Sequence, residues 1–176
     1  MLGKRIVFRA VLIAAIAIMA ALLVANDHDS PLPPEAKADR VEVYKSERRL
    51  DLISDGIVVK SYCIALGHNP IDAKRQEGDG CTPEGAYLID YRNPTSRFHL
   101  SLHVSYPDSA AIARARELHV DPGGMIMIHG LFNGLGWLGK LHRTVDWTNG
   151  CIAVTDPEIE EIWRAVPDGT PITIHP

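Results

Sequence analysis

The opening of the chain, MLGKRIVFRAVLIAAIAIMAALLVAND, divides everything that follows. Lys4, Arg5 and Arg9 stand ahead of an unbroken apolar run from Ala10 to Ala25. Counted from Ile6 the run has 20 residues, interrupted by Arg9. As a helix it is just long enough to cross a bilayer, with Arg9 among the headgroups. The basic flank stays in the cytoplasm, so the remainder is exported. The other reading is a cleaved signal peptide, with Leu23-Val24-Ala25 as its site and a bulky Leu in place of a small residue. Both place residues 26–176 outside the cytoplasm, where they must build a core of their own.

Residues 26–40, NDHDSPLPPEAKADR, are polar and proline-rich and read as a linker between a 1–25 anchor or signal segment and a 41–176 domain. That domain is of ordinary size for a single core. With a net charge of −4 and no basic block, nothing points to nucleic acid as a partner.

Along the domain, short alternating runs dominate. RVEVYKSERRLDLISDGIVVKSYCIAL carries Asp55-Gly56 between two strand-like segments, a hairpin signal. Residues 67–85 are rich in Gly, Pro and charge and read as a long surface loop, of the kind that carries function. AYLIDYR and FHLSLHVSY read as strands joined by NPTS. DSAAIARARELH reads as a short helix, capped by Asp108 or Ser109. MIMIHG is a buried strand, followed by the glycine-rich GLFNGLGWLGK. TDPEIEEIWRAV is a second helix. Asp156 stands at its N-cap and Pro157 at its first position, and Ile159, Ile162, Trp163 and Val166 share one face. Seven or eight strands and two short helices, without regular βαβ order, predict a β-rich α+β domain built as a small mixed-sheet sandwich or barrel.

Three cysteines, Cys63, Cys81 and Cys151, are an odd number for an oxidising compartment. A Cys63–Cys81 bridge would tie down the long loop. Whichever pair forms, one thiol remains. Cys151, in DWTNGCIAV, is a buried small hydrophobe, half of a disulfide, or a nucleophile. Gly150 beside it removes a side chain where a substrate backbone could approach, and turn N–H groups there could hold an oxyanion. A thiol nucleophile needs a base, normally histidine. His28 falls in the linker, His175 beside the C-terminus, His68 and His142 in polar loops, and His119 at a helix end. His129 differs: it ends an apolar strand and precedes Gly130, so a polar side chain emerges at the edge of the core.

IMIHG followed, 22 residues after the histidine, by TNGCIAV resembles the L,D-transpeptidase catalytic domain, the YkuD-like family. GDGCTPEGAYLIDYRNPTSRFHLSLHVSYPD and the closing GTPITIHP extend the resemblance to the Gram-negative murein branch, over Val41 to Ile174. It implies a β-rich domain in the periplasm, held at the inner membrane by the N-terminal helix or released if that segment is cleaved. It also implies peptidoglycan stem peptides as substrate and a thiol mechanism that uses no cofactor. Cys151 would attack the carbonyl between a diamino acid's L-centre and a terminal D-residue. His129 would take and return the proton, the Gly130 carbonyl would orient its ring, and N–H groups at Gly150 and Cys151 would hold the oxyanion. Asn149 stands where the family has histidine, and Ala153 where many members have arginine. Both bear on how substrate is placed and whether an amine or water takes the acyl group.

Other readings stay open beside this one. The same fold serves hydrolases that trim stem peptides or release wall-linked proteins. A non-catalytic wall-binding module is a second class. A metal site on His99, His103 and His129 is a third, with His99 and His103 on one strand face. No HExxH or CxxC pattern supports it, and no metal is expected.

Overall fold

The computed structural model describes residues 30–176. Eight strands form one mixed sheet: β1 (Arg40–Tyr44), β2 (Arg49–Ser54), β3 (Ile57–Cys63), β4 (Gly85–Asn93), β5 (Ser101–Val104), β6 (Met127–His129), β7 (Ile152–Ala153) and β8 (Pro171–His175). Their order across the sheet is β3-β2-β1-β8-β4-β5-β6-β7. β1 and β8 are parallel, as are β6 and β7; the other neighbours run antiparallel. Beyond β7 the chain that leaves β3 returns, with Ala65 bridged to Ala153, so the sheet curls into a half-barrel. The expected β-rich mixed sheet is what forms.

The β2–β3 turn shows why Asp55-Gly56 is there. Both central residues have positive φ, 52° and 78°, the geometry of the tight hairpin turn whose twist matches the strands. The core lies on one face of the sheet. Val41, Val43, Leu50, Leu52, Leu102, Ile128, Ile152, Ile172 and Ile174 point into it. Helix α1 (Ser109–Glu117) begins at Asp108, whose carboxylate accepts the Ala111 N–H at 2.7 Å. Helix α2 (Asp156–Ala165) lays Ile159 and Ile162 on the core, each burial contributing roughly 2 kcal/mol.

Several expectations are corrected here. Among the described residues there are three short helical elements, not two: the glycine-rich stretch continues into a 3₁₀ segment, Gly136–Thr144, broken at Gly139 where φ is 45°. FHL is not strand, because His99 has φ 63° and β5 begins only at Ser101. The cap of α2 is Thr155, not Asp156. Thr155 is extended, and Glu158 reaches back to accept its N–H at 2.9 Å. Part of the proline-rich segment is seated on the domain: Leu32 is buried, its N–H donating to Glu161 at 3.0 Å and its carbonyl accepting from Arg164 at 3.1 Å. Cys63 and Cys81 form no bridge; all three cysteines are free thiols, Cys63 exposed at the end of β3 and Cys81 buried in the long loop. Among the described residues no helix is long and apolar enough to cross a membrane. The 1–25 anchor or signal segment lies outside them.

The loop of residues 67–85 is irregular yet tightly held. Buried Lys45 donates to the carbonyl of Asp72 at 2.9 Å and to Glu84 at 2.6 Å. Lys74, also buried, donates to Asp79 at 3.0 Å. Burial alone would raise the Asp79 carboxyl, but N–H groups of Gln76, Arg75 and Cys81 and the Lys74 ammonium hold it below the usual range. The loop meets the turn that carries Cys151 through the His68 N–H, which donates to the Thr148 carbonyl at 3.0 Å.

Candidate active site

The two faces of the β5–β6–β7 region separate cleanly. Leu102, Ile128 and Ile152 face the core. Alternation puts Ser101, His103, Met127, His129 and Ala153 on the other face. His129 pairs with Ala153 and Ile128 with Ile152, so the same register carried back one residue sets Cys151 beside Met127. The Met127 N–H points at the sulfur, and the thiol itself lies 3.5 Å from the Met125 carbonyl. Cys151 and His129 therefore share a face on neighbouring strands, offset by two residues.

His129 is 3% exposed. Its Nδ1 lies 2.6 Å from the Gly130 carbonyl oxygen. A carbonyl only accepts, so Nδ1 carries the hydrogen and Nε2 of the neutral ring keeps its lone pair. Burial pushes the imidazole down to about 4, the Gly130 bond pulling the other way. Burial likewise pushes the Cys151 thiol up, against a smaller pull from the Met127 N–H and the Lys74 ammonium. Burial therefore favours the uncharged form of each group.

Two aromatics that sequence reasoning missed pack on the histidine. The Phe98 ring lies 4.5 Å and the Trp147 ring 5.7 Å from the His129 ring, centroid to centroid. They shield it from water and account for its burial. A tryptophan in a polar turn four residues before the cysteine was the available signal, since so large an apolar group seldom goes unused. His142 was also misplaced. It is buried in the 3₁₀ segment, where Trp147 Nε1 donates to its Nδ1 at 3.4 Å. Burial pushes it down to about 4 as well.

The turn before Cys151 is clamped from three sides. Asp146 accepts from Arg48 at 2.8 Å and from the Leu66 N–H at 2.8 Å. Thr148 Oγ1 donates to the Cys151 carbonyl at 2.7 Å and accepts the Gly150 N–H at 3.1 Å. The Gly150 N–H is thereby committed within the turn. The space beside Gly150 is also taken, because a Cβ there would lie 2.5 Å from the Cys81 carbonyl oxygen. Gly150 admits a neighbouring loop, which corrects the expectation that it opens room for substrate. Asn149 is exposed at the tip of the turn. The glycine after His129 has its own packing reason. A Cβ on Gly130 would meet Asp156 at 2.7 Å, and Asp156 instead accepts the Leu131 N–H at 2.7 Å.

His99, His103 and His129 do not converge. His99 meets Glu160 at 2.8 Å, His103 meets Asp90 at 2.6 Å, and His129 meets Gly130. Among the described residues no group of three or more His, Cys, Asp or Glu side chains is placed to hold a metal ion.

This chain belongs to the YkuD family: the model of the L,D-transpeptidase catalytic domain matches residues 38–174. Solved structures agree on the fold. The helical cell shape determining protein Pgp2 from Campylobacter jejuni aligns with TM-score 0.59 and 23% identity, over 87% of this chain and 53% of that one. Bd1075 from Bdellovibrio bacteriovorus aligns with TM-score 0.53 and 22% identity, over 77% and 46%. An L,D-transpeptidase of Xylanimonas cellulosilytica aligns with TM-score 0.50 and 17% identity, over 89% and 68%. The chain spans about half the length of the first two. Among curated protein sequences none matches. The family match and the solved structures agree on the L,D-transpeptidase catalytic-domain fold.

Proposed function

We propose that this protein is a peptidoglycan L,D-transpeptidase working through a thioester on Cys151. The observation that carries the reading is His129, its Nδ1 locked on Gly130 and its Nε2 lone pair left free on the face that bears the thiol. As Cys151 Sγ attacks the carbonyl of the diamino residue, its proton passes to Nε2. The tetrahedral intermediate collapses, the C–N bond to the terminal D-residue breaks, and that amine leaves with the proton from His129. An acceptor amine then attacks the thioester and the thiol is restored. With the Gly150 N–H held by Thr148, the Cys151 N–H is the oxyanion donor at this turn, and Asn149 contacts substrate at its rim. Such chemistry belongs outside the cytoplasm, and the apolar run of residues 6–25 would tether the domain to the inner membrane.

Acylation by a carbapenem, whose ring carbonyl suits a thiol, tests the reading by intact-protein mass spectrometry. An adduct on Cys151 is expected, absent in Cys151→Ser and unaffected in Cys63→Ser. No adduct on the wild-type protein would leave only a wall-binding role. Incubation with disaccharide-tetrapeptide and a free D-amino acid then separates the reactions. Exchange of the terminal residue marks transfer; tripeptide alone marks hydrolysis.

A further inference from the structure

The catalytic face continues past the Cys151–His129 pair. Met127 is opposite His103 on β5, and His103 is opposite Tyr91 on β4. Tyr91, His103, Met127 and Cys151 thus form one row across four neighbouring strands. The Tyr91 and His103 rings are stacked, 4.5 Å between centroids. Between Ile89 and Tyr91 the register shifts, and the extra residue is Asp90. Such bulges re-aim a side chain. Here the bulge brings the Asp90 carboxylate to 2.6 Å from His103 Nδ1 while leaving 40% of its side chain exposed. Met125 touches both ends of the row, its carbonyl at the Cys151 thiol and its sulfur 3.8 Å from the Tyr91 hydroxyl.

We propose that Asp90, with His103 and Tyr91, forms the subsite for the ammonium at the end of the acyl donor's diamino side chain. His103 stands two strands from Cys151, about 10 Å across the sheet. An extended lysine-like arm carries its ammonium about 7 Å beyond the attacked carbonyl, by bond lengths near 1.5 Å. The arm lies along the exposed side chain of Met125, a thioether suited to methylenes that runs from beside the thiol to Tyr91, and ends at the carboxylate. The stacked Tyr91 and His103 rings wall the arm and offer a π-face to the cation. His103 donates Nδ1–H to Asp90 and so fixes the carboxylate's direction, which makes it a positioning residue.

The choice of ligand rests on the transpeptidase reading, so the test avoids turnover. Stem tetrapeptides with L-lysine or L-norleucine at the attacked position, each followed by D-alanine, are titrated into Cys151→Ser protein by calorimetry. The lysine peptide should bind at least tenfold tighter. Asp90→Asn should erase that ratio and Asp90→Glu restore it. His103→Phe, which keeps a ring on Tyr91 but frees the carboxylate, should reduce it. Equal binding of the two peptides to Cys151→Ser overturns the subsite, as does a ratio that survives Asp90→Asn. Failure of the acyl-enzyme reading shows elsewhere, as a missing carbapenem adduct on the wild-type protein.

Discussion

Gly150 holds φ at +118°, with the Cys81 carbonyl where a side chain would begin. Gly150→Ala should therefore lose about 1–3 kcal/mol from backbone strain alone, and more from displacing the loop. Chemical denaturation should show it, together with loss of carbapenem acylation. The sequence shows that a glycine precedes the cysteine, but the loop it admits lies some seventy residues away and leaves no local trace. His129 and Cys151 stood out because a histidine closing an apolar strand and a cysteine after Asn-Gly are locally odd. Phe98 and Trp147 were missed because neither is near His129 in the chain. The histidine itself yields a sharper expectation. His129→Ala should slow acylation by roughly 10²–10⁴-fold, measured as the rate of adduct formation. Substituting His99 or His103 should slow acylation by a carbapenem far less.

At the level of elements, α2 does more than cover the core. Its pattern of Ile159 and Ile162 was plain in the sequence because helical period is local. Its cap was not, because Thr155 and Asp156 are both good N-cap residues and only tertiary packing decides between them. The structure gives the cap to Thr155 and frees Asp156 to hold the segment after His129 through the Leu131 N–H. A bond to a charged group contributes about 1.5–3 kcal/mol. Asp156→Ala should cost about 2 kcal/mol and slow acylation by loosening the Gly130 carbonyl's neighbourhood. Asp156→Asn, which keeps an acceptor, should cost less. Thermal melts beside acylation rates decide it. The 3₁₀ segment escaped notice for a related reason: glycines at 130, 134, 136 and 139 argue for a loop, and the tie from α2 that orders part of it is not local.

For the whole molecule, the buried histidines fix the acid limit. His129 and His142 have ordinary values near 6.5, and burial takes each to about 4 in the folded protein. Between those values the unfolded chain binds protons that the folded chain refuses. Stability from keeping both rings neutral is therefore complete above about pH 6.5 and falls as pH drops toward 4. Asp79 and Glu158 act lower. Burial opposes their charge, but the N–H groups and Lys74 around Asp79, and Arg143 and Thr155 around Glu158, hold both carboxyls below the usual range. Their contribution is lost only as pH falls below ordinary carboxylate values. Acid unfolding should thus begin with a loss on the order of a few kcal/mol across pH 6.5 to 4, ahead of any carboxylate loss. Replacing His142 by Phe should flatten the first part of that curve, because a group that cannot titrate has no protons to refuse. Urea midpoints measured at half-unit intervals from pH 7.5 to 4 would show it. An unchanged slope in His142→Phe would mean that this ring is protonated in the folded protein as readily as in the unfolded chain.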